Sequence, residues 1–176
     1  LASRVRRRSL RPVTVFAHGS EVFVRARVPG LRRTVCRVLG GVDLVLAVSR
    51  FTAQQVEQLT GGQARVAVLP PAVDVRRFSL GVSGARVRER YGLGSRFVVL
   101  LVARLVKRKG ADVLVRAMRG VAGVALVVGT GPEQPALRRL AAELEVEDRV
   151  VFVGHVPDHE LPEYYAAADV FCMPCS

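Results

Sequence analysis

Tryptophan is absent from this chain, and cysteine, histidine and lysine are scarce. The three cysteines, Cys36, Cys172 and Cys175, are too few for a disulfide framework, so a reduced, cytoplasmic setting is the default expectation. Cys172 and Cys175 have the spacing of a redox pair. Such pairs open a helix, whose N-terminus lowers the thiol pKa, whereas this one closes an apolar strand and contains Pro174, so both are read as buried small side chains. Long hydrophobic runs are missing too: no apolar stretch reaches the roughly 18 residues of a membrane-spanning helix. The basic N-terminal residues have no apolar segment behind them and do not read as a signal peptide. Aromatics make up only 6% of the chain and do not interleave with its arginines, which leaves no stacking platform, so nucleic acid is not expected as a partner. The dinucleotide fingerprint is also lacking, since Gly129 and Gly131 would need a glycine at 134 and the residue is Gln134.

Half of the 176 residues are hydrophobic, enough to build a core and too many for a disordered tail. Short Val-rich runs recur at Val13–Ala17, Leu44–Val48, Val66–Leu69, Phe97–Ala103, Val124–Val128, Val150–Val153 and Val170–Met173. They are continuous rather than alternating, as parallel strands buried on both faces require. Helical patterns lie between them. Leu137, Leu140, Ala141 and Leu144 share one face of Glu133–Leu144, and Asp112–Met118 and Glu160–Ala168 read likewise. Repeated strand–helix–strand order predicts a doubly wound α/β fold. Pro70 and Pro71 remove two donors and cannot sit inside a sheet, so a connection is expected at residues 70–84, between a domain ending at residue 69 and a second over 85–176. The chain starts at Leu1 and stops at Ser176 directly behind a strand, and both ends are expected to be cuts.

The formal charge of +12 is unevenly placed: residues 1–38 hold ten arginines and one acid, Glu21, for +9. That concentration fits an anionic partner such as acidic lipid headgroups, nucleic acid or a phosphorylated substrate. A compositional bias toward Arg over Lys, of which there are only two among 27 bases, accounts for it equally well.

In open α/β sheets ligands bind outside the carboxyl ends of the strands. The loop after Phe97–Ala103 carries Arg104, Lys107, Arg108 and Lys109 ahead of a helix, so that Arg104 and Lys109 could clamp a diphosphate without a metal. A solvated basic loop is the plainer reading. The next strand runs into Gly129-Thr130-Gly131-Pro132, where glycine lets backbone come close to a ligand. The third loop, Gly154 to Asp158, could read a base edge through backbone groups at Val156, with the Asp158 carboxylate accepting from guanine N1 and N2. His18 follows the first strand, a position suited to a reaction centre and equally to a cap or turn.

Taken in order, His18-Gly19-Ser20-Glu21, Val48-Ser49, Val73-Asp74 with Phe78, Arg104 to Gly110, Gly129 to Pro132, Gly154 to Val156 and Ala167 to Val170 with Pro174 resemble the family 4 retaining glycosyltransferases. The resemblance implies a GT-B fold with parts of two Rossmann-like domains. Residues 1–69 would be the end of the acceptor-side domain, and 85–176 most of the one that binds the nucleotide sugar. It also implies that Arg104 and Lys109 hold the donor diphosphate without a metal or other cofactor, that the Gly131 loop and the loop through Val156 and Asp158 bind the donor, and that His18 reaches the transferred sugar. Within the family the segments look closest to actinobacterial phosphatidylinositol mannoside mannosyltransferases. This implies GDP-mannose as donor, a lipid-linked or inositol-containing acceptor, and a place on the inner face of an anionic membrane. An inositol phosphate N-acetylglucosaminyltransferase using a UDP-sugar is the alternative, and a non-enzymatic basic nucleotide or nucleic-acid binder an alternative of another class. The family's Glu-x7-Glu element and N-terminal glycine-rich donor loop are missing, and Pro71-Ala72 stands where many members have Asn-Gly, so this stretch alone is expected to be inactive.

Overall fold

The computed structural model describes residues 12–19, 28 and 30–175. The chain divides into two units, Leu1–Val73 and Asp74–Ser176. In the first, β1 (Thr14–Ala17), β2 (Leu44–Ala47) and β3 (Val66–Val68) form a parallel sheet in that order. Helices α1 (Leu31–Gly40) and α2 (Arg50–Thr60) link consecutive strands, and their apolar stripes meet the sheet in a core that includes Ala17, Leu39, Val45 and Val56. The Ser49 hydroxyl caps α2 by accepting from the Thr52 N–H at 3.1 Å. Cys36 on α1 donates to the Leu59 carbonyl at 2.9 Å, tying the helices together. Arg32, Arg33 and Arg37 lie exposed along α1, whereas Ser20, Glu21 and the other seven arginines of residues 1–38 lie outside the described residues.

The second unit is a four-stranded parallel sheet in the order β6 (Val150–Gly154), β5 (Gly123–Val128), β4 (Phe97–Val102), β7 (Val170–Phe171). Alternate residues of the two central strands go to opposite cores. Val99, Leu101, Ala125 and Val127 pack under α4 (Ala111–Ala117) and α5 (Gln134–Glu143). Val98, Leu100, Val124, Leu126 and Val128 pack under α3 (Ala85–Arg90) and α6 (Leu161–Ala167). Both faces are thus apolar, which is why these strands are continuous hydrophobic runs. The α/β class with parallel sheets is as expected from the sequence.

Several local expectations are corrected. The last strand stops at Phe171 rather than Met173: the Cys172 N–H still reaches the Leu100 carbonyl at 2.8 Å, but Met173 and Cys175 close a turn around Pro174, which has no donor. Cys172 is half-buried against the core, and Cys175 is exposed rather than buried. Asp74, the first residue of the second unit, closes a turn by accepting from the N–H groups of Arg76, Arg77 and Phe78 at 3.0–3.1 Å.

Beside the sheet, Arg90 donates to both Tyr164 and Glu160, and the Tyr91 and Tyr164 hydroxyls are 2.9 Å apart. Burial and that hydrogen bond push the Tyr91 hydroxyl up to about 12. Asp169, just ahead of β7, accepts from the Val98 N–H at 2.7 Å and from Arg88 at 3.0 Å, so it fastens β7 to the start of β4. The backbone donor first, and Arg88 after it, hold this carboxyl below its ordinary range. Its contribution is therefore present above the ordinary aspartate pKa and is lost as pH falls through the lower folded value. Asp169→Asn is expected to cost about 1 kcal/mol at neutral pH, less than a buried charged bond because the side chain is 42% exposed. In urea unfolding followed by circular dichroism, the gap between the two proteins should narrow as pH falls below about 4. A gap that ignores pH would show that the carboxylate charge contributes nothing.

Candidate functional site

Parallel strands deliver the loops that follow them to one edge of the sheet. In the second unit the loops after β4, β5 and β6 meet around a cleft of about 600 Å³, lined by Arg104, Thr130, Gly131, His155, Val156 and Asp158 among others. Backbone hydrogen bonds lace the loops together: the Leu105 N–H donates to Thr130 at 2.9 Å, Glu133 to Leu105 at 3.2 Å, and Gly129 to Gly154 at 2.7 Å. The approach is so close that a Cβ at Gly129 would collide with the Ala103 carbonyl, and one at Gly131 with the Leu105 carbonyl. These glycines therefore let one loop pack on the next. Main-chain packing thus holds these loops in fixed positions relative to one another.

Side-chain chemistry at the cleft is sparse. Arg104 is exposed, and its guanidinium makes no hydrogen bond or ion pair among the described residues, so it is available to an anion. Val156 is only 6% exposed and anchors its loop in the core beneath α6, leaving its main chain to line the cleft. Asp158 also lines the cleft, and it is partnered: Arg77 donates to its Oδ2 at 3.0 Å and to its main-chain carbonyl at 2.6 Å. Arg77 is the functional candidate that sequence reasoning missed. It lies 81 residues from Asp158, a separation over which local periodicity carries no information.

Lys109 is not brought into this lining. The stretch Lys107–Lys109 winds into a single 3-10 turn, and Gly110 follows it with φ 66° before α4 begins. The Lys109 ammonium rests 3.8 Å from the Met173 sulfur, a weak contact. The structure thus unites Arg104, Gly131, Val156 and Asp158 and sets Lys109 on the neighbouring side of the same loop. His18 belongs to the first unit, exposed at the end of β1 with its ring stacked 6.3 Å from that of Phe16. Among the described residues, no cluster of three His, Cys, Asp or Glu could hold a metal, and no helix is long and apolar enough to cross a membrane.

A cleft at the carboxyl edge of a parallel sheet, with an exposed guanidinium that has no partner among the described residues, suits a phosphorylated nucleotide. Known proteins bear on which. The family model for glycosyl transferases group 1 matches residues 86–176. Over 181 residues the chain is 42% identical to the GDP-mannose-dependent alpha-(1-6)-phosphatidylinositol monomannoside mannosyltransferase of Mycolicibacterium smegmatis, covering 99% of this chain and 47% of that protein. It is 38% identical over 162 residues to the D-inositol 3-phosphate glycosyltransferase of Acidothermus cellulolyticus, covering 78% of this chain and 36% of that one. The crystal structure of Anabaena HepE in complex with UDP and glucose shares the fold, with a TM-score of 0.80 at 23% identity over 94% of this chain and 47% of the other. The chain spans about half the length of the curated relatives it matches. Its two parallel-sheet units are of GT-B type, and the chain belongs to the group 1 glycosyl transferases.

Proposed function

We propose that the whole protein is a retaining glycosyltransferase that moves mannose from GDP-mannose to a lipid-linked or inositol-containing acceptor. The observation that carries this reading is Arg104, exposed at the cleft and without a partner among the described residues, in a chain 42% identical to a GDP-mannose-dependent enzyme. Residues 85–176 would bind the donor, 70–84 would connect the two domains, and 1–69 would belong to the acceptor side. Arg104 holds the diphosphate, and Lys109 joins it by swinging from its loose contact with Met173. Main chain at Gly131 lies along the donor, main chain at Val156 meets the base edge, and Asp158 accepts from guanine. His18 acts at the transferred sugar.

The bond from the anomeric carbon to the diphosphate breaks, and the acceptor oxygen bonds to that carbon on the same face. The acceptor proton passes to the departing phosphate. Charge builds on that phosphate, and two cations, Arg104 at the cleft and Lys109 swung toward it, can stabilise it without a metal. The exposed Leu31, Arg32, Arg33 and Arg37 of α1 would rest against anionic headgroups on the inner face of the membrane. The likeness to an inositol phosphate glycosyltransferase favours a second reading, with a UDP-sugar as donor.

Calorimetric titration of the whole protein with GDP, UDP, ADP and NADH, without added metal, separates these readings. Saturable binding of GDP alone is expected. A preference for UDP would move the donor to the second reading, and binding of NADH alone or of nothing would end both. Arg104→Ala and Lys109→Ala are each expected to raise the barrier to transfer by about 2–4 kcal/mol, the scale of one lost charge donor. Near-normal turnover would remove the residue from the site. Asp158→Ala should weaken GDP by a larger factor than UDP, and equal losses would mean that Asp158 does not read the base.

A further inference from the structure

We propose that Arg77 is a positioning residue for base discrimination: it orients the Asp158 carboxylate so that one oxygen is held and the other is left to the nucleotide. This inference rests on the cleft being a nucleoside diphosphate site. One guanidinium fork grips a single residue twice, Nη1 donating to Asp158 Oδ2 at 3.0 Å and Nη2 to the Asp158 main-chain carbonyl at 2.6 Å. Holding carboxylate and carbonyl together fixes the backbone and the side chain of Asp158 at once, which a monodentate lysine cannot do. Oδ1 makes no hydrogen bond among the described residues, and Asp158 lines the cleft while Arg77 does not.

Arg77 is itself held from behind. Its guanidinium carbon lies 5.5 Å from the centre of the Phe78 ring, and Phe78 meets Tyr165 of α6 edge-on at 5.7 Å. The Asp74 turn fixes the backbone ahead of it. An ion pair whose side chains are 39% and 78% exposed adds little to stability. Such an arrangement does little for the fold and much for the direction in which a carboxylate is presented. Guanine offers N–H donors to an acceptor at this edge and uracil offers fewer, so a held Asp158 should favour GDP.

The test measures GDP and UDP affinities by calorimetry for the whole protein and for Arg77→Ala, Arg77→Lys, Asp158→Ala and the Arg77→Ala/Asp158→Ala double variant, with thermal unfolding by circular dichroism alongside. Arg77→Ala is expected to lower the GDP-over-UDP preference roughly tenfold, toward the Asp158→Ala value, with its melting temperature nearly unchanged. Arg77→Lys should fall between, and it reads the preference if Arg77→Ala fails to fold. The double variant should match Asp158→Ala, because both changes remove the same interaction. The proposal is overturned if Arg77→Ala keeps the wild-type preference, weakens both nucleotides equally, or adds to Asp158→Ala. A wild type that binds GDP but loses no preference in Asp158→Ala overturns it while leaving the nucleotide site standing. A wild type that binds neither nucleotide overturns both.

Discussion

Burial of β4 and β5 on both faces is the constraint from which the second unit follows. Leu100, Leu101, Leu126 and Val127 are fully excluded from water, and each such side chain is worth about 1.5–3 kcal/mol. No face of these strands is left for polar residues. Helices must therefore cover both sides, the connections between strands must be crossovers, and the strands run parallel. Polar chemistry is then confined to the sheet edges, and parallel strands place the loops after β4, β5 and β6 at the same one. The cleft follows from satisfying the core.

The same economy shapes the cleft wall. Gly129 and Gly131 let the β5 loop lie against Ala103 and Leu105 with no side chain between them. A wall packed this way has room for only a few functional side chains. Arg104, His155 and Asp158 stand out for that reason: they are the polar or charged groups that the lacing leaves at the rim, along with Thr130.

The sequence was legible where one residue's environment decides its type. Strands buried on both faces show as Val-rich runs, and the paired prolines after β3 show where regular pairing stops. The fold class and the three loops at the cleft follow from such signals. Legibility failed where distant residues or backbone geometry decide. Helix α3 is dominated by arginine and buries only Val87, so it has no apolar period to read. Lys109 has the right charge beside the right strand, but the tight turn through Lys107–Lys109 directs it toward Met173. The Arg77–Asp158 contact spans 81 residues, and nothing near either residue announces the other.

The surplus of arginine reads differently once pairing is visible. Arg77, Arg86, Arg88 and Arg90 form ion pairs with Asp158, Glu163, Asp169 and Glu160, respectively. Four bases from one short stretch meet four acids from another, and together they fasten the turn after the unit boundary and helix α3 along α6 and the start of β7. Each bond is exposed and individually weak, so their worth lies in register rather than in strength. Arginine suits this use because its fork can grip a carboxylate and a carbonyl together, as Arg77 and Arg88 do. The charge of Arg86, Arg88 and Arg90 is thus used inside the fold. Residues 1–38 are different: ten arginines share one acid in the same stretch of sequence.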